Sequence, residues 1–252
     1  MGGILALAYG TVCYAVFLVT FLYAVGFVSN LVVPKSIDTP SADRLGIALL
    51  VDVALLAVFA VQHSVMARPA FKRWWTRIVP ESVERSTYVL LSSVALALLF
   101  WQWRGIDGIA WEAKHPVAVY GAWAVHFGGW GIVLFGTFLI NHFDLFGLRQ
   151  VYLRAKGRDY THLPFNTPAL YRIVRHPIMV GFLLAFWGTP TMTVGHLVFA
   201  LATTGYILIA LRFEEHDLVE SLGSQYEEYR EEVPMLLPTG RRRRRKVRTV
   251  VA

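Results

Sequence analysis

The chain has 252 residues, of which 56% are apolar and 16% are charged, and its formal net charge at pH 7 is +7. A soluble domain of this length carries about 25% charged residues, so the composition excludes an ordinary soluble domain and indicates a polytopic membrane protein. The chain has one cysteine, Cys13, which excludes a disulfide framework and a metal site built from cysteines. We expect Cys13 to be a small buried apolar residue, and we predict no metal.

Long apolar segments predict the membrane spans in chain order. The first segment is too long for a cleavable signal peptide and has no basic region before it. The last block is interrupted at 188–190 by Gly-Thr-Pro, which divides it into a short arm and a full-length arm. The predicted spans are 4–31, 45–66, 87–103 and 117–140, followed by the arms 177–188 and 193–212.

These spans predict an all-α fold, a polytopic membrane helix bundle. It has five full spans, a short broken helix in the last hairpin and a cytosolic C-terminal helix over 213–232 that breaks near Gly223. No repeat or linker divides the chain, so we expect one domain over 1–238 and a basic, disordered tail over 239–252.

The positions of Lys and Arg predict the orientation. Segment 67–86 contains five of them and segment 141–176 contains six, whereas 32–44 and 104–116 contain two each. Because cytoplasmic loops are enriched in Lys and Arg, we expect both basic loops, the N-terminus and the C-terminus to be cytoplasmic, in a bacterial inner membrane.

A basic run follows Pro238 and accounts for most of the net charge. Beside a membrane bundle, two interpretations stay open: contact with anionic lipid headgroups, or a solvated end without a partner. We expect no nucleic-acid partner. The run comprises Arg241 to Arg245, Lys246 and Arg248.

The segment Arg175-His176-Pro177-Ile178-Met179-Val180-Gly181 is the most informative motif. Proline is favoured at the first helical position because its missing N–H has no partner there. The two preceding residues then lie at a helix N-terminus, which favours anions. The following hairpin returns Glu214 and Glu215 to the same side of the membrane. Because the arm 177–188 is shorter than the arm 193–212, we expect Arg175 and His176 to lie inside the inner leaflet, in a recess open to the cytoplasm. Ionisable groups at that depth are costly unless they have partners and face a wet cavity, so they indicate function.

Together these motifs resemble the isoprenylcysteine carboxyl methyltransferase superfamily of membrane enzymes. In that superfamily an Arg-His-Pro-x-Tyr-x-Gly motif and a later Glu-Glu…Tyr-x-x-Tyr stretch bind S-adenosylmethionine. The resemblance extends from about residue 60 to 238, and it implies S-adenosyl-L-methionine as the cofactor. The implied contacts fall on Tyr171, His176, Pro177, Ile178, Met179, Gly181 and Glu214, and near His162, Leu163 and Phe165.

Within the superfamily, the chain looks more like the methanethiol S-methyltransferase branch. The segments 62–68 and 141–150 carry this likeness, Met179 replaces the motif tyrosine, and Ala210 replaces an arginine linked to prenyl substrates. The implied reaction is methyl transfer to a small thiol, methanethiol giving dimethyl sulfide, with hydrogen sulfide as a second acceptor. Alternatives are carboxyl methylation of a prenyl-cysteine or other lipid-like substrate, and a non-catalytic membrane accessory role in nitric oxide metabolism.

The cofactor needs a cation for its carboxylate, an acceptor for its ammonium group and an aromatic slot for adenine. Glu214 is the first choice for the ammonium group, and Glu215 is a second acidic candidate. A ring near the sulfonium would add a cation–π contact. The candidates for the carboxylate are Arg175, His176 and Arg230, and those for the slot are Tyr171, Tyr226 and Phe165.

The thiol needs a base, because an alkyl thiol is mostly protonated at neutral pH. His142 and Asp144 follow the fourth span, and a histidine oriented by a carboxylate is a common general base. We therefore predict His142 and Asp144 as a catalytic pair, with His63 as a second catalytic candidate. The structural alternative is that Asp144 caps a helix and His142 lies at the interface. Arg149 and Gln150 are predicted on the substrate side, and His115, His126 and His196 are expected to be structural.

Overall fold

The computed structural model describes residues 2–239, and these fold into ten α-helices and two short strands. One turn of 3-10 helix lies at Ala169–Arg172, and the strands are β1 (Ile109–Glu112) and β2 (Thr191–Thr193). The helices are α1 (Gly3–Ser29), α2 (Leu45–Ala67), α3 (Pro69–Trp75), α4 (Glu81–Gln102), α5 (Pro116–Leu139), α6 (His142–Leu145), α7 (Leu148–Ala155), α8 (Pro177–Trp187), α9 (Val194–Leu222) and α10 (Ser224–Glu232).

Within this range five helices, α1, α2, α4, α5 and α9, are long and apolar enough to cross a membrane, and α8 is a shorter apolar helix. The predicted class, an integral membrane helix bundle, is confirmed. Two boundaries differ from the prediction. Helix α4 begins at Glu81, because the acidic residues of its first turn suit a helix N-terminus. Helix α9 continues to Leu222, since no helix breaker occurs before Gly223.

The long helices form two groups joined by a shared aromatic core. Helix α4 packs between α1 and α2, α5 packs along α8, and α9 contacts α8 and α2. The chain forms this core because aromatic side chains bury large areas and pack edge to face. Its largest members come from α1, α4, the residue after α4, α5 and α9: Phe27, Phe100, Trp103, Trp130 and Phe199.

Glycines set the close approach of α5 and α8. A Cβ atom on Gly129 would lie 2.6 Å from the Gly181 carbonyl oxygen, and one on Gly181 would lie 2.8 Å from the Val133 nitrogen. Small residues at such positions let membrane helices pack backbone to backbone. Farther along, a Cβ atom on Gly136 would lie 2.8 Å from the Ile178 side chain, so the helices run antiparallel in a fixed register.

The bundle has two ends, which we name by their contents. The loop end carries residues 30–44, 103–115 and 188–193, where β1 and β2 pair antiparallel. The site end carries residues 68–80, 140–176 and 213–239. At the loop end, the buried Asp52 carboxylate accepts the Arg104 amide over 2.8 Å, and Trp103 donates to the Ile37 carbonyl over 3.0 Å. These contacts hold the loops over the core.

Helix α8 is short at the loop end, which corrects the expected position of its recess. If both arms of the hairpin began at the same outer turn, α8 would begin deep inside the inner leaflet. Instead, Ile178 lies against Gly136, near the end of α5, whereas a Cβ atom on Gly188 would lie 2.7 Å from the His126 nitrogen, in the middle of α5. The cause is β2, which spans the remaining distance in extended form. The site end is therefore formed by α9 projecting past α8.

Two buried histidines complete the truncated end of α8. The last four carbonyls of a helix lack helical partners. Here Gly188 and Thr189 amides bind the Leu184 and Trp187 carbonyls. His126 Nδ1 donates to the Ala185 carbonyl over 2.7 Å, and His196 Nε2 donates to the Phe186 carbonyl over 2.9 Å. The structural role that the sequence suggested for these two histidines is thereby explained.

Two further sequence expectations concern Cys13 and the tail. Cys13 is fully buried inside the bundle as a free thiol. The basic run that begins at Arg241 lies outside the described residues.

Candidate functional site

The site is built where the segment after α10 folds back onto the start of α8. The Arg175 and His176 amides donate to the carbonyls of Pro234 and Met235, over 2.9 and 3.2 Å. The side chain of Arg175 also donates to the carbonyls of Arg230 and Val233. Pro234 ends α10 by removing a donor, and the extended chain that follows it lies beside the N-terminus of α8. Four hydrogen bonds thus hold the C-terminal part of the described chain to the residues before α8.

Glu215 is the centre of a compact charged cluster. Its Oε1 accepts from Arg175 Nε over 2.6 Å and from His176 Nε2 over 3.1 Å. Arg230 Nε lies 3.6 Å from Oε2. The side chains of Arg175, His176 and Glu215 are only 10%, 8% and 8% exposed, so these charges act in a low dielectric and bind each other strongly.

Glu214 and Glu215 have different environments. Sequence analysis ranked Glu214 first, but Glu215 makes the close contacts within the cluster. The nearest distance from Glu214 Oε2 to His176 Nδ1 is 3.9 Å, and its side chain is 47% exposed. Adjacent helical residues point in directions about 100° apart, so only Glu215 faces Arg175. Glu214 is therefore the carboxylate that is free to meet a ligand.

Three aromatic side chains cover one side of this cluster. The ring of Phe165 lies 6.0 Å from that of Tyr226 and 5.5 Å from that of Tyr229, both at steep angles. The Tyr229 hydroxyl donates to the Tyr171 carbonyl over 2.6 Å, and burial raises the pKa of Tyr229 to about 12. The rings of Phe165, Tyr226 and Tyr229, together with the backbone of Tyr171, thus form one wall.

Tyr171 and Tyr226 are both held as neutral phenols. Burial raises the pKa of Tyr171 well above its usual range, and the negative charge of Glu214 acts in the same direction. Burial also raises the pKa of Tyr226, as does the charge of Glu215. The Tyr226 hydroxyl is buried and has no hydrogen-bond partner among residues 2–239. A buried polar group without a partner is costly, so this hydroxyl indicates a place for a ligand or water.

The loop before the 3-10 turn contributes unevenly. Phe165 packs into the aromatic wall, whereas His162 and Leu163 are exposed. The ring of His162 lies 5.0 Å from that of Tyr160, on the outer part of the loop. The predicted contacts of His162 and Leu163 with the cofactor therefore stay predictions, since these side chains do not line the cluster.

The motif residues of α8 serve mainly to fix the helix. Pro177 is fully buried at the first helical position, as the sequence predicts. Ile178 packs on Gly136, and the Cβ direction of Gly181 is filled by α5. The contribution of Gly181 in the structure is thus to helix packing. Met179 is partly exposed and stays a candidate for contact with a ligand.

An open pocket of about 250 Å³ adjoins the cluster between α9 and α10. Three of its five lining residues carry basic side chains, which suits an anionic group. The five lining residues are Arg212, Glu215, His216, Val219 and Arg230.

His142 and Asp144 are not a hydrogen-bonded pair, which corrects the predicted arrangement. His142 Nε2 lies 2.8 Å from the Tyr14 hydroxyl, and Nδ1 lies 2.8 Å from Thr137 Oγ1. Both nitrogens are therefore occupied by hydroxyl groups. The physical reason is that residues two apart on a helix point to different sides. Burial lowers the pKa of His142, which favours its neutral, basic form.

Asp144 instead organises the loop at 157–168. Its carboxylate accepts from Arg149 over 3.1 Å and from Tyr160 over 3.2 Å. Arg149 also donates to the carbonyl and hydroxyl oxygens of Thr161, over 2.6 and 2.9 Å. Gln150 Nε2 donates to the Asp144 carbonyl over 3.3 Å. Arg149 and Gln150, predicted on the substrate side, are thus placed by the structure in the support of this loop.

His63 lies in a second polar group within the bundle. Its ring is 2.9 Å from the Tyr88 hydroxyl, and its Nδ1 is 3.3 Å from Ser92 Oγ. Its neighbour Ser64 lies 3.2 Å from the Tyr206 hydroxyl of α9. At the end of α2, Arg68 forms an ion pair with Asp217 of α9 over 2.8 Å. The His63 group therefore lies in the part of the bundle where α2 packs against α9, the helix that carries Glu214 and Glu215.

Comparison with known proteins identifies the family. The chain is 58% identical over 234 residues to the methanethiol S-methyltransferase of Mycobacterium tuberculosis, covering 93% of this chain and 96% of that protein. The chain belongs to the methanethiol S-methyltransferase family. It is also 56% identical over 239 residues to methanethiol S-methyltransferase 2 of Bradyrhizobium diazoefficiens, covering 95% and 92% of the two chains. The resemblance predicted from the motifs is confirmed.

A more distant relative points to a wider group of membrane proteins. Mouse Nurim is 32% identical over 176 residues, 66% of each chain. No family model and no solved structure matches the chain.

Several residues of this methanethiol S-methyltransferase family member were missed by sequence reasoning. Tyr14 and Thr137 lie within apolar spans, Tyr88 follows the basic loop, and the Val233 carbonyl belongs to an irregular segment. The only sequence signal was a hydroxyl within an apolar span, which is common and unspecific. Tyr229 belongs to the Tyr-x-x-Tyr stretch noted in the sequence, but it was given no role in the site, although helical spacing places it near Tyr226.

Proposed function

We propose that the protein transfers the methyl group of S-adenosyl-L-methionine to methanethiol, giving dimethyl sulfide. The observation that carries this proposal is the cluster of Arg175, His176 and Glu215 beside the free Glu214 carboxylate. This arrangement occurs in a chain that is 58% identical to a methanethiol S-methyltransferase. Hydrogen sulfide, which is the smaller analogue of methanethiol, is a second acceptor for the same site.

The residues at the site end fit the methyl donor. S-adenosyl-L-methionine supplies an electrophilic methyl group on a sulfonium, and it carries an amino-acid end and an adenine. The unpartnered Tyr226 hydroxyl and the exposed Glu214 carboxylate are polar groups that such a molecule can satisfy. Among the cations, Arg230 is 45% exposed, whereas Arg175 is occupied by Glu215 and two carbonyls.

We assign roles to these residues on that basis. Arg230 holds the carboxylate of the cofactor, Glu214 accepts its ammonium group, and Phe165 with Tyr226 flanks the adenine. Arg175, His176 and Glu215 hold α8, α9 and the segment after α10 together, so that the ligand groups keep their positions. A preorganised set of charges loses little free energy to reorganisation during the reaction.

The acceptor side is assigned to His142. Its ring is 4% exposed, and it stacks on Phe138 with ring centroids 4.2 Å apart and an interplanar angle of 4°. A neutral imidazole in this setting can be the final acceptor of the thiol proton. The surrounding phenylalanines favour a small apolar acceptor, and the product can leave into lipid. Asp144 supports the loop, and His63 belongs to the interior wall.

We also propose the orientation given by the basic loops. The site end faces the cytoplasm of a bacterial inner membrane, where the methyl donor is made, and both termini lie on that side. The basic run that begins at Arg241 contacts anionic headgroups.

Headspace gas chromatography tests the reaction. Purified protein in detergent, supplied with S-adenosyl-L-methionine and methanethiol, is expected to release dimethyl sulfide. A parallel assay with a prenyl-cysteine acceptor is expected to give no methyl ester. If the protein binds the cofactor but releases no dimethyl sulfide, methanethiol is not its acceptor.

Calorimetry with S-adenosylhomocysteine tests the site. Glu214→Ala is expected to weaken binding about 10-fold to 150-fold, since a hydrogen bond to a charged group is worth about 1.5–3 kcal/mol. Glu220→Ala is the matched control on the same helix, because its side chain is 66% exposed and pairs with the exposed His216. Equal affinities of the two variants would remove Glu214 from the cofactor site.

A further inference from the structure

Tyr14, His142 and Thr137 form a continuous hydrogen-bonded chain that joins α1, α6 and α5. The Tyr14 hydroxyl lies 2.8 Å from His142 Nε2, and Thr137 Oγ1 lies 2.8 Å from His142 Nδ1. At the far end, Thr137 Oγ1 donates to the Leu134 carbonyl over 2.7 Å. This series of hydrogen bonds therefore ends at the backbone of α5 on one side and at the phenol of Tyr14 on the other.

The hydrogen bond from Thr137 to the backbone determines which atom is the donor in each hydrogen bond of this series. A hydroxyl group has one proton. Because Thr137 gives its proton to the Leu134 carbonyl, its oxygen must accept the Nδ1–H of His142. A neutral imidazole has one N–H, so Nε2 carries the lone pair and accepts the Tyr14 proton. The low pKa of His142, which is caused by burial, agrees with the neutral ring.

A substrate cannot reach the ring of His142 directly. Both nitrogens are covered by hydroxyls, one face is stacked on Phe138, and the Phe146 ring meets the imidazole with centroids 4.8 Å apart. Tyr14 is only partly buried, and its ring has Phe17 and Phe143 as neighbours, at 5.9 and 6.4 Å. Of the three side chains in this hydrogen-bonded series, Tyr14 alone is not fully buried, and it lies within an apolar aromatic surrounding.

The same hydrogen-bonded series adjoins Ile178 and Tyr171, two residues that the superfamily resemblance implies as cofactor contacts. Thr137 follows Gly136 directly in α5, and Gly136 contacts the Ile178 side chain. The Gly136 carbonyl also accepts the Tyr171 hydroxyl over 3.4 Å. The proton acceptor and the start of α8 are thus connected through one turn of α5.

We propose that Tyr14 is a catalytic residue that carries the thiol proton to His142; this step rests on the proposed thiol methylation. The thiol S–H bond breaks and its proton binds the Tyr14 oxygen, while the Tyr14 proton moves to His142 Nε2. The sulfur electron pair forms the new C–S bond. The old bond from the methyl carbon to the sulfonium breaks, and its electron pair stays on the donor sulfur. The imidazolium then gives its Nε2 proton back to Tyr14, and the Tyr14 hydroxyl releases one proton to water, which restores the starting state.

Replacement of one hydroxyl tests the step. Tyr14→Phe keeps the ring and its aromatic neighbours but breaks the chain, and kcat with methanethiol at neutral pH is expected to fall about 100-fold to 10,000-fold. At alkaline pH the loss should shrink, because thiolate forms without a base. Tyr9→Phe is the control in the same helix, since it loses a comparable hydroxyl contact, 3.0 Å to Thr87, and it is expected to keep the wild-type rate. Affinity for S-adenosylhomocysteine should be unchanged in both variants.

The state of the ring provides a readout that needs no turnover. Nitrogen-15 spectra of labelled protein, assigned with a His142→Gln variant, are expected to show His142 as the neutral Nδ1–H tautomer. Thr137→Ser should keep this signal, and Thr137→Val should change it. A neutral Nε2–H tautomer in the wild type would overturn the proposal, as would a fully active Tyr14→Phe protein or a loss that is equal at all pH values.

The proposed function and the role of Tyr14 can be refuted separately. A wild-type protein that binds S-adenosylhomocysteine but does not methylate methanethiol would end the proposed function and this step with it. An active wild type with an equally active Tyr14→Phe variant would end only the role of Tyr14.

Discussion

The two ends of α8 solve the same problem in opposite ways. At the loop end, four free carbonyls meet two backbone amides and two neutral histidines. At the site end, the two residues before the helix, Arg175 and His176, contact the Glu215 carboxylate and donate to four backbone carbonyls. One end is closed and uncharged, and the other is charged and borders an exposed glutamate, Glu214.

The comparison of the two ends shows which observation distinguishes a structural histidine from a functional one within a membrane bundle. His126 and His176 are both buried, so burial alone does not distinguish structure from function. Their partners do. His126 takes a proton donor, Trp130, on one nitrogen and gives a proton to a carbonyl on the other, which fixes a neutral ring. His176 contacts two carboxylates, at 3.1 and 3.9 Å, and therefore stands in a field that binds cations.

Removal of the carboxylate at the charged end should have the largest effect on stability. Glu215→Ala leaves Arg175 and His176 buried without their partner, and breaking a buried ion pair costs about 3–5 kcal/mol. We expect a large fall in the thermal unfolding temperature in detergent, while Glu214→Ala should unfold near the wild-type temperature. Equal melting of wild type and Glu215→Ala would show that the charged end is no more cohesive than the solvent-exposed part of α9.

The contact between α5 and α8 connects the two ends, and adjacent glycines allow a matched test. Gly129→Ala places a methyl group against the backbone of α8, and overpacking of this kind costs about 1–3 kcal/mol. Gly128→Ala meets no atom within 4 Å and should be neutral or slightly stabilising, because alanine favours helix over glycine. Denaturation of both variants under one detergent condition decides the point; a reversed order would contradict the antiparallel register.

The closed end should respond less than the charged end, and without effect on binding. His126→Phe keeps an aromatic ring but leaves the Ala185 carbonyl and the Trp130 N–H without their partner. Side-chain hydrogen bonds within membranes contribute about 1 kcal/mol each. We expect modestly lower stability and an unchanged dissociation constant for S-adenosylhomocysteine, measured by calorimetry. Weaker binding in this variant would mean that the two ends are energetically coupled.

The smallest effect on stability is expected at Tyr226, where the hydroxyl has no partner within the described chain. Tyr226→Phe removes an unsatisfied polar atom, so stability should stay the same or rise slightly. Tyr229→Phe is the contrast, because it loses the 2.6 Å bond to the Tyr171 carbonyl and should be less stable. Thermal unfolding compares the two, and lower stability of Tyr226→Phe would indicate that its hydroxyl is bonded to water in the free protein.

Much of the fold could be predicted because membrane-spanning helices require long apolar segments, which are visible in the sequence. The five spans, the break at Gly188 and the meeting of Arg175 with the carboxylates of α9 follow from hydropathy, turn residues and helix length. The position of the recess could not be predicted in the same way. It depends on the extended β2 segment, whose pairing with β1 is a long-range contact without a periodic signal.

The residues of the candidate site could likewise be predicted only in part from the sequence. Charged residues in membrane helices stand out, so Arg175, His176 and Glu215 were identified. The choice between Glu214 and Glu215 depended on helix rotation, which sequence does not give. His142 was identified by residue type, but its partners are hydroxyls on two other helices, and the nearby Asp144 serves a loop instead. Tyr14 and Thr137 look like ordinary residues of apolar spans until the helices are assembled.

The burial of Cys13 has a practical consequence. Its side chain is 0% exposed, so maleimide reagents should not modify its thiol while the helices remain assembled. A cysteine placed at an exposed position, such as Glu220, would therefore be the sole reactive thiol among residues 2–239. Fluorescent or spin labels could then follow the movement of α9 in an otherwise native background.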